Sequence, residues 1–138
     1  NSSKIAFVSN RFMEKDTLVQ RIQLKEEKDI FVYELKSAQI RKVTDSPDIS
    51  ESYPIGLADK ISYLAPQNRL QQRFVAEFDS SINRIDTIVH YDYFYNSSIE
   101  DTYDRSIIEQ SASSKMPLLK LSTKTESTNL FSIMTKMK

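Results

Sequence analysis

The sequence predicts an all-β, mainly antiparallel protein, and three observations carry that prediction. Short apolar or alternating runs recur along the chain, among them 4–10 (KIAFVSN), 30–35 (IFVYEL) and 60–65 (KISYLA). Isoleucine, threonine, tyrosine and phenylalanine, which suit a pleated and half-buried surface, are plentiful. The segments 31–41 and 74–84 also resemble each other: aligned from their phenylalanines, Phe31/Phe74, Val32/Val75, Glu34/Glu77, Ser37/Ser80 and Arg41/Arg84 coincide.

Taken in order, 4–10 reads as a strand with Ile5 and Phe7 facing inward. The run 17–25 (TLVQRIQLK) mixes two periods and fits a strand or a short helix, with the strand preferred. The charged run 25–29 (KEEKD) reads as a solvated turn. In 30–35, Phe31, Tyr33 and Leu35 share one face while Ile30 and Val32 share the other, the pattern of a strand covered on both sides. A turn at 36–39 returns the chain into a strand at 40–44. The stretch 45–54 (DSPDISESYP) reads as irregular, because Pro47 and Pro54 lack ladder donors and Asp and Ser stabilise turns. Strands follow at 60–65 and 74–78, then a turn at 79–83 and a return strand at 84–89. After the aromatic cluster 90–95 (HYDYFY), 96–104 reads as a polar loop, with shorter strands at 106–111 and 118–121. Leu130, Ile133, Met134 and Met137 fall at helical spacing behind possible caps at Ser127 or Thr128, so a short C-terminal helix is expected, with a strand as the alternative.

Composition excludes several chemistries. A chain of 138 residues suits one domain with a real core, or a piece of a larger one. Nineteen basic residues balance nineteen acidic ones, so no global field draws nucleic acid or an anionic membrane. Without cysteine there are no disulfides, thiolate nucleophiles or Cys-based zinc sites. Gly56 is the only glycine, which rules out glycine-rich phosphate loops. His90 is the only histidine, which rules out multi-histidine metal sites and argues against a Ser-His-Asp triad. No apolar run approaches the roughly 18 residues of a transmembrane helix, and no signal-peptide pattern opens the chain.

The internal similarity extends backward, since Lys4–Val8 matches Lys60–Leu64, and a fainter third copy runs from Ser106 onward. Units near 4–46, 47–92 and 104–138 result, and a period of about 40–45 residues with about four short strands is that of propeller blades. The order KIAFVSNR, DIFVYELKSAQIRKVTDSP and ADKISYLA resembles the repeat of TolB-type β-propellers, relatives of the propeller domains of tricorn and dipeptidyl-peptidase-like proteases. Thr44, Asp45, Ser46 and Pro47 fit the first half of that family's inter-blade connector. Tyr53-Pro54 and Ala58-Asp59-Lys60 fit the second half without its glycine. The resemblance covers residues 4–92 and implies a non-enzymatic scaffold of the periplasm or cell envelope that recruits protein partners. It also leaves open an accessory propeller segment of a serine peptidase. A third possibility is a small β-barrel or sandwich with a terminal helix, a pleckstrin-homology-like module binding a peptide or lipid headgroup.

The expected binding surface is the aromatic cluster, His90, Tyr91, Tyr93 and Tyr95, together with Tyr53, because tyrosine joins an apolar ring to a polar tip. The competing structural reading has these tyrosines alternating with a buried Phe94 at a strand edge. His90 beside Asp92 lacks the nucleophile or second ligand that catalysis needs. Asp45, Asp48 and Glu51, like Glu100, Asp101 and Asp104, read as solvated turn residues, since their spacing is not that of a calcium loop. Asn1-Ser2-Ser3 and Asn96-Ser97-Ser98 match the N-glycosylation pattern. No catalytic residue, metal or cofactor is expected, and protein partners, an oligomer or a longer parent chain are.

Overall fold

The computed structural model describes residues 3–11, 24–57, 59–113, 118–124 and 130–136. Ten strands form three open antiparallel sheets, and among the described residues there is no helix and no closed barrel. Each sheet is a meander of consecutive strands. The first holds β1 (Lys4–Arg11), β2 (Leu24–Glu34) and β3 (Gln39–Lys42). The second holds β4 (Ser52–Leu57), β5 (Lys60–Gln67), β6 (Leu70–Ile85) and β7 (Val89–Asp101). The third holds β8 (Ile107–Ala112), β9 (Leu118–Lys124) and β10 (Leu130–Lys136). No helix among the described residues is long and apolar enough to cross a membrane.

The middle sheet is covered on both faces. Ile61, Tyr63 and Ala65 of β5 pack with Ile30 and Val32 of β2 and with Val43 just after β3, joined by Ala76 of β6. Leu64, on the opposite face of β5, packs with Ile107 and Leu121 of the third sheet. Ser62 follows the same alternation, its hydroxyl donating to Gln110 Oε1 at 3.0 Å. β5 is therefore buried on both faces from Ile61 to Ala65, and β2 is buried on both faces from Ile30 to Val32, as its apolar pattern predicts. In β2, Ile30 and Val32 face the middle sheet, while Phe31 is buried on the other face and stacks on Phe7 at 5.8 Å.

The two similar segments share a register before they diverge. Lys4 lies opposite Glu34 and Phe7 opposite Phe31. Likewise Lys60 lies opposite Glu77 and Tyr63 opposite Phe74, and the second aromatic pair stacks at 5.7 Å. After Glu34 the chain turns and returns as β3, whereas after Glu77 it runs straight on to Ile85. Ser80 and Arg84 thus belong to β6, and the expected turn at 79–83 does not form. The reason is visible in the pairing: Phe78 and Ile82 lie opposite Tyr95 and Tyr91, so a continuous ladder holds the strand straight. The turn falls instead at 86–88, where Asp86 Oδ1 accepts from the Ile88 amide at 3.1 Å.

Other boundaries move for similar reasons. Residues 25–29 belong to β2 rather than to a solvated turn, and Asp29 is fully buried with Lys42 Nζ at 3.0 Å. Pro54 lies inside β4, an edge strand irregular between Ser52 and Ile55, where a missing donor is tolerated. The span 96–101 extends β7 instead of forming a loop. Residues 130–136 are a strand laid antiparallel on β9, so the helical spacing there is overridden by sheet pairing. The proposed caps Ser127 and Thr128, Met137, most of 17–25 and the Asn1 glycosylation pattern lie outside the described residues.

Candidate functional site

β5 accompanies β6 only as far as the Lys60–Glu77 pair. Beyond it, 78–85 is paired with β7 alone, giving a two-stranded arm roughly 26 Å long at about 3.3 Å per residue. Every residue from Glu77 to Val89 is exposed. Such a hairpin is marginal in isolation, so its order depends on side-chain ladders and on its attachment to the sheet.

The pairing gives the arm two unlike faces. Phe78 opposite Tyr95, Ser80 opposite Tyr93, Ile82 opposite Tyr91 and Ile85 opposite Val89 make one face apolar and aromatic. Its rings are in register: Phe78 and Tyr93 stack with centroids 5.7 Å apart, Phe78 and Tyr95 meet at 5.2 Å, and Tyr91 and Tyr93 at 6.2 Å. The reverse face is polar. Asn96 donates to Asp79 and Asn83 to Asp92, each at 2.9 Å. The irregularity between Ile82 and Arg84 leaves Asn83 without an opposite residue while keeping the aromatic alternation intact on both sides of it.

The first sheet meets the base of the aromatic face. Lys4, Val32, Glu34 and Arg41 line a cleft of about 220 Å³ with Phe78, Tyr93 and Tyr95. Lys4 Nζ lies 5.3 Å and Arg41 Cζ 5.9 Å from the Phe78 centroid, both within cation–π range. Ser37 donates to Glu34 at 2.6 Å, and this bond, aided by Lys4 and Arg41, holds the Glu34 carboxyl below its usual range. Burial pushes the Tyr95 hydroxyl up. The lower rungs of the ladder are thus occupied from within the chain, while Tyr91 and Tyr93 stay 48% and 55% exposed.

Of the expected binding residues, the structure brings Tyr91, Tyr93 and Tyr95 onto one face and leaves two apart. His90 lies on the polar face, where its Nε2 is 3.1 Å from Asp86 and 3.3 Å from Arg84 rather than paired with Asp92. Tyr53 is on β4, the far edge of the sheet, and is exposed with a positive φ of 49°. Its carbonyl accepts from Gln110 Nε2 at 2.7 Å. Phe94 is 38% exposed on the polar face, not buried. Phe78, Ile82, Lys4 and Arg41 escaped the sequence reading. The period-two spacing of Phe74, Ala76, Phe78, Ser80 and Ile82 carried a signal for the first pair, whereas nothing local joins Lys4 and Arg41 to the arm.

Of the acidic residues read as solvated, Asp45, Asp48 and Asp104 are exposed, whereas Glu51, Glu100 and Asp101 are at least partly buried. Asp101 accepts from Arg73 at 2.9 Å, with Glu100 3.9 Å away. Glu51 is 1% exposed and burial raises its pKa, against the lowering effect of bonds from Ser46 and Thr44. Among the described residues no group of three or more His, Asp or Glu is placed to hold a metal ion. No protein-family model, curated protein or solved structure matches this chain.

Proposed function

We propose that this chain is a non-enzymatic protein–protein interaction module whose working surface is the aromatic face of the arm. The observation that carries this reading is the ladder of Tyr91 and Tyr93 on Phe78, held in register outside the core yet half exposed. Aromatic side chains are stiff, amphipathic anchors, and pre-ordering them lowers the entropy lost when a partner docks.

The blade-like meanders supply the scaffold in this reading. Support for the TolB-type resemblance comes from sheets stacked face to face in chain order and from the shared register of Lys4/Glu34 and Lys60/Glu77. That resemblance in turn suggests a place in the cell envelope and a larger assembly. Titration against candidate envelope proteins, with Tyr91→Ala and Tyr93→Ala alongside the parent chain, tests the proposal. Loss of binding in both variants supports it, and unchanged binding removes the arm as the surface. Hydrolysis of peptides by the purified chain contradicts the non-enzymatic reading.

A further inference from the structure

We propose that the arm captures a cationic, extended peptide segment as an added strand along the outer edge of β7. This rests on the interaction reading above and names the chemistry of the partner.

Three features converge on that occupant. The first is backbone: β7 ends the strand order of its sheet, so among the described residues its outer edge pairs with no strand. An edge strand offers alternating N–H and C=O groups to an extended chain. The second is charge. The whole chain is neutral, yet between Glu77 and Asn96 four carboxylates face a single arginine. Glu77 is matched by Lys60 and Asp86 by Arg84, which leaves Asp79 and Asp92 as the charges of the polar face. Each is held by an asparagine amide, and an ionised carboxylate so oriented still has lone pairs to offer a guanidinium or ammonium.

The third feature is an internal precedent. Phe78, the lowest ring of the ladder, already lies under Lys4 and Arg41. Tyr91 and Tyr93 continue the same ladder outward and present the same kind of π-face to solvent. An added strand sends successive side chains to opposite faces of the sheet. Basic residues at alternate positions would meet Asp92 on β7 directly and, reaching across Phe94, the negative field of Asp79 on β6, while the residues between them, apolar or arginine, would lie on Tyr91 and Tyr93. The acidity of the arm also argues against nucleic acid as the occupant.

Fluorescence anisotropy with the full chain at physiological salt tests this with three labelled eight-residue probes. One alternates arginine and valine, one alternates glutamate and valine, and one keeps every arginine but replaces valine by proline. The arginine-valine probe is expected to bind saturably at one site, the glutamate probe not at all. The proline probe should bind at least about tenfold more weakly, since tenfold corresponds to about 1.4 kcal/mol, the scale of one lost charge-free hydrogen bond. Tyr93→Ala and the double change Asp79→Asn with Asp92→Asn should each weaken the arginine-valine probe by about tenfold. Circular dichroism checks that both variants remain folded.

Equal binding of the proline probe overturns strand addition, because charge alone then suffices. Binding untouched by either variant, or no binding, also overturns it. Arm-dependent dimerisation without peptide binding would show a second copy to be the occupant instead. If Tyr91→Ala and Tyr93→Ala abolish capture of an envelope protein while the arginine-valine probe fails, the interaction reading stands and this inference falls.

Discussion

The two halves of β6 share β7 as a partner, but only the first is also paired with β5, and their fates are opposite. From Gln72 to Ala76 the strand lies between sheets, with Val75 and Ala76 almost fully buried. From Glu77 to Ile85 it keeps its ladder to β7, parts from β5 and is exposed throughout, with the first sheet reaching only its base at Phe78. Phe74 and Phe78 make the contrast concrete: Phe74 stacks on Tyr63 at the edge of the core, whereas Phe78 is 42% exposed and holds surface rings and cations. A ladder to β7 alone therefore does not decide whether a β residue serves stability or recognition. What covers its face does.

The comparison can be tested by four changes of decreasing effect. Leu64→Ala removes a fully buried side chain between the middle and third sheets and should cost about 2–5 kcal/mol in chemical denaturation. Phe74→Ala should cost about 3 kcal/mol, and Phe78→Ala about 1 kcal/mol, since only the first ring is packed into the core. Equal losses for the two phenylalanines would break the division of β6. Ile82→Ala should change stability by no more than about 0.5 kcal/mol while weakening the binding of any partner that docks on the arm, measured by the same denaturation and by titration.

A fifth change concerns pH. Burial raises the Glu51 pKa in the folded chain above the usual 4.5, so the folded state holds that proton more tightly than the unfolded one. Its stabilising contribution is full below the unfolded value and is lost as pH rises through the folded one. Glu51→Gln should therefore raise the melting temperature relative to the parent at pH 7 and give a smaller advantage at pH 4. A variant that loses more stability at pH 7 than at pH 4 would contradict the sign.

The all-β class and most of the strands were legible because period-two patterning reports burial directly. KISYLA reads as a strand and has the longest buried run among the described residues, continuing through Pro66 to Gln67. The errors lay where composition was allowed to outvote pattern. Asp79-Ser80-Ser81 looks like a turn, but Phe78, Ser80 and Ile82 kept the alternation going and the Asp86 side chain marked the real turn. KEEKD looked solvated because nothing in its own letters shows that Lys42 pairs with Asp29 in the interior. The tyrosine face was half legible: Tyr91, Tyr93 and Tyr95 were identified, but their cationic neighbours Lys4 and Arg41 come from another sheet. Long-range placement of that kind has no local signature.

Amide hydrogen exchange followed residue by residue along β6 tests the division most directly. Val75 and Ala76 are predicted to exchange only through global unfolding, while amides between Phe78 and Ile85 exchange at least about a hundredfold faster through opening of the arm. Uniformly slow exchange along the whole strand would contradict the account, because the arm would then belong to the core.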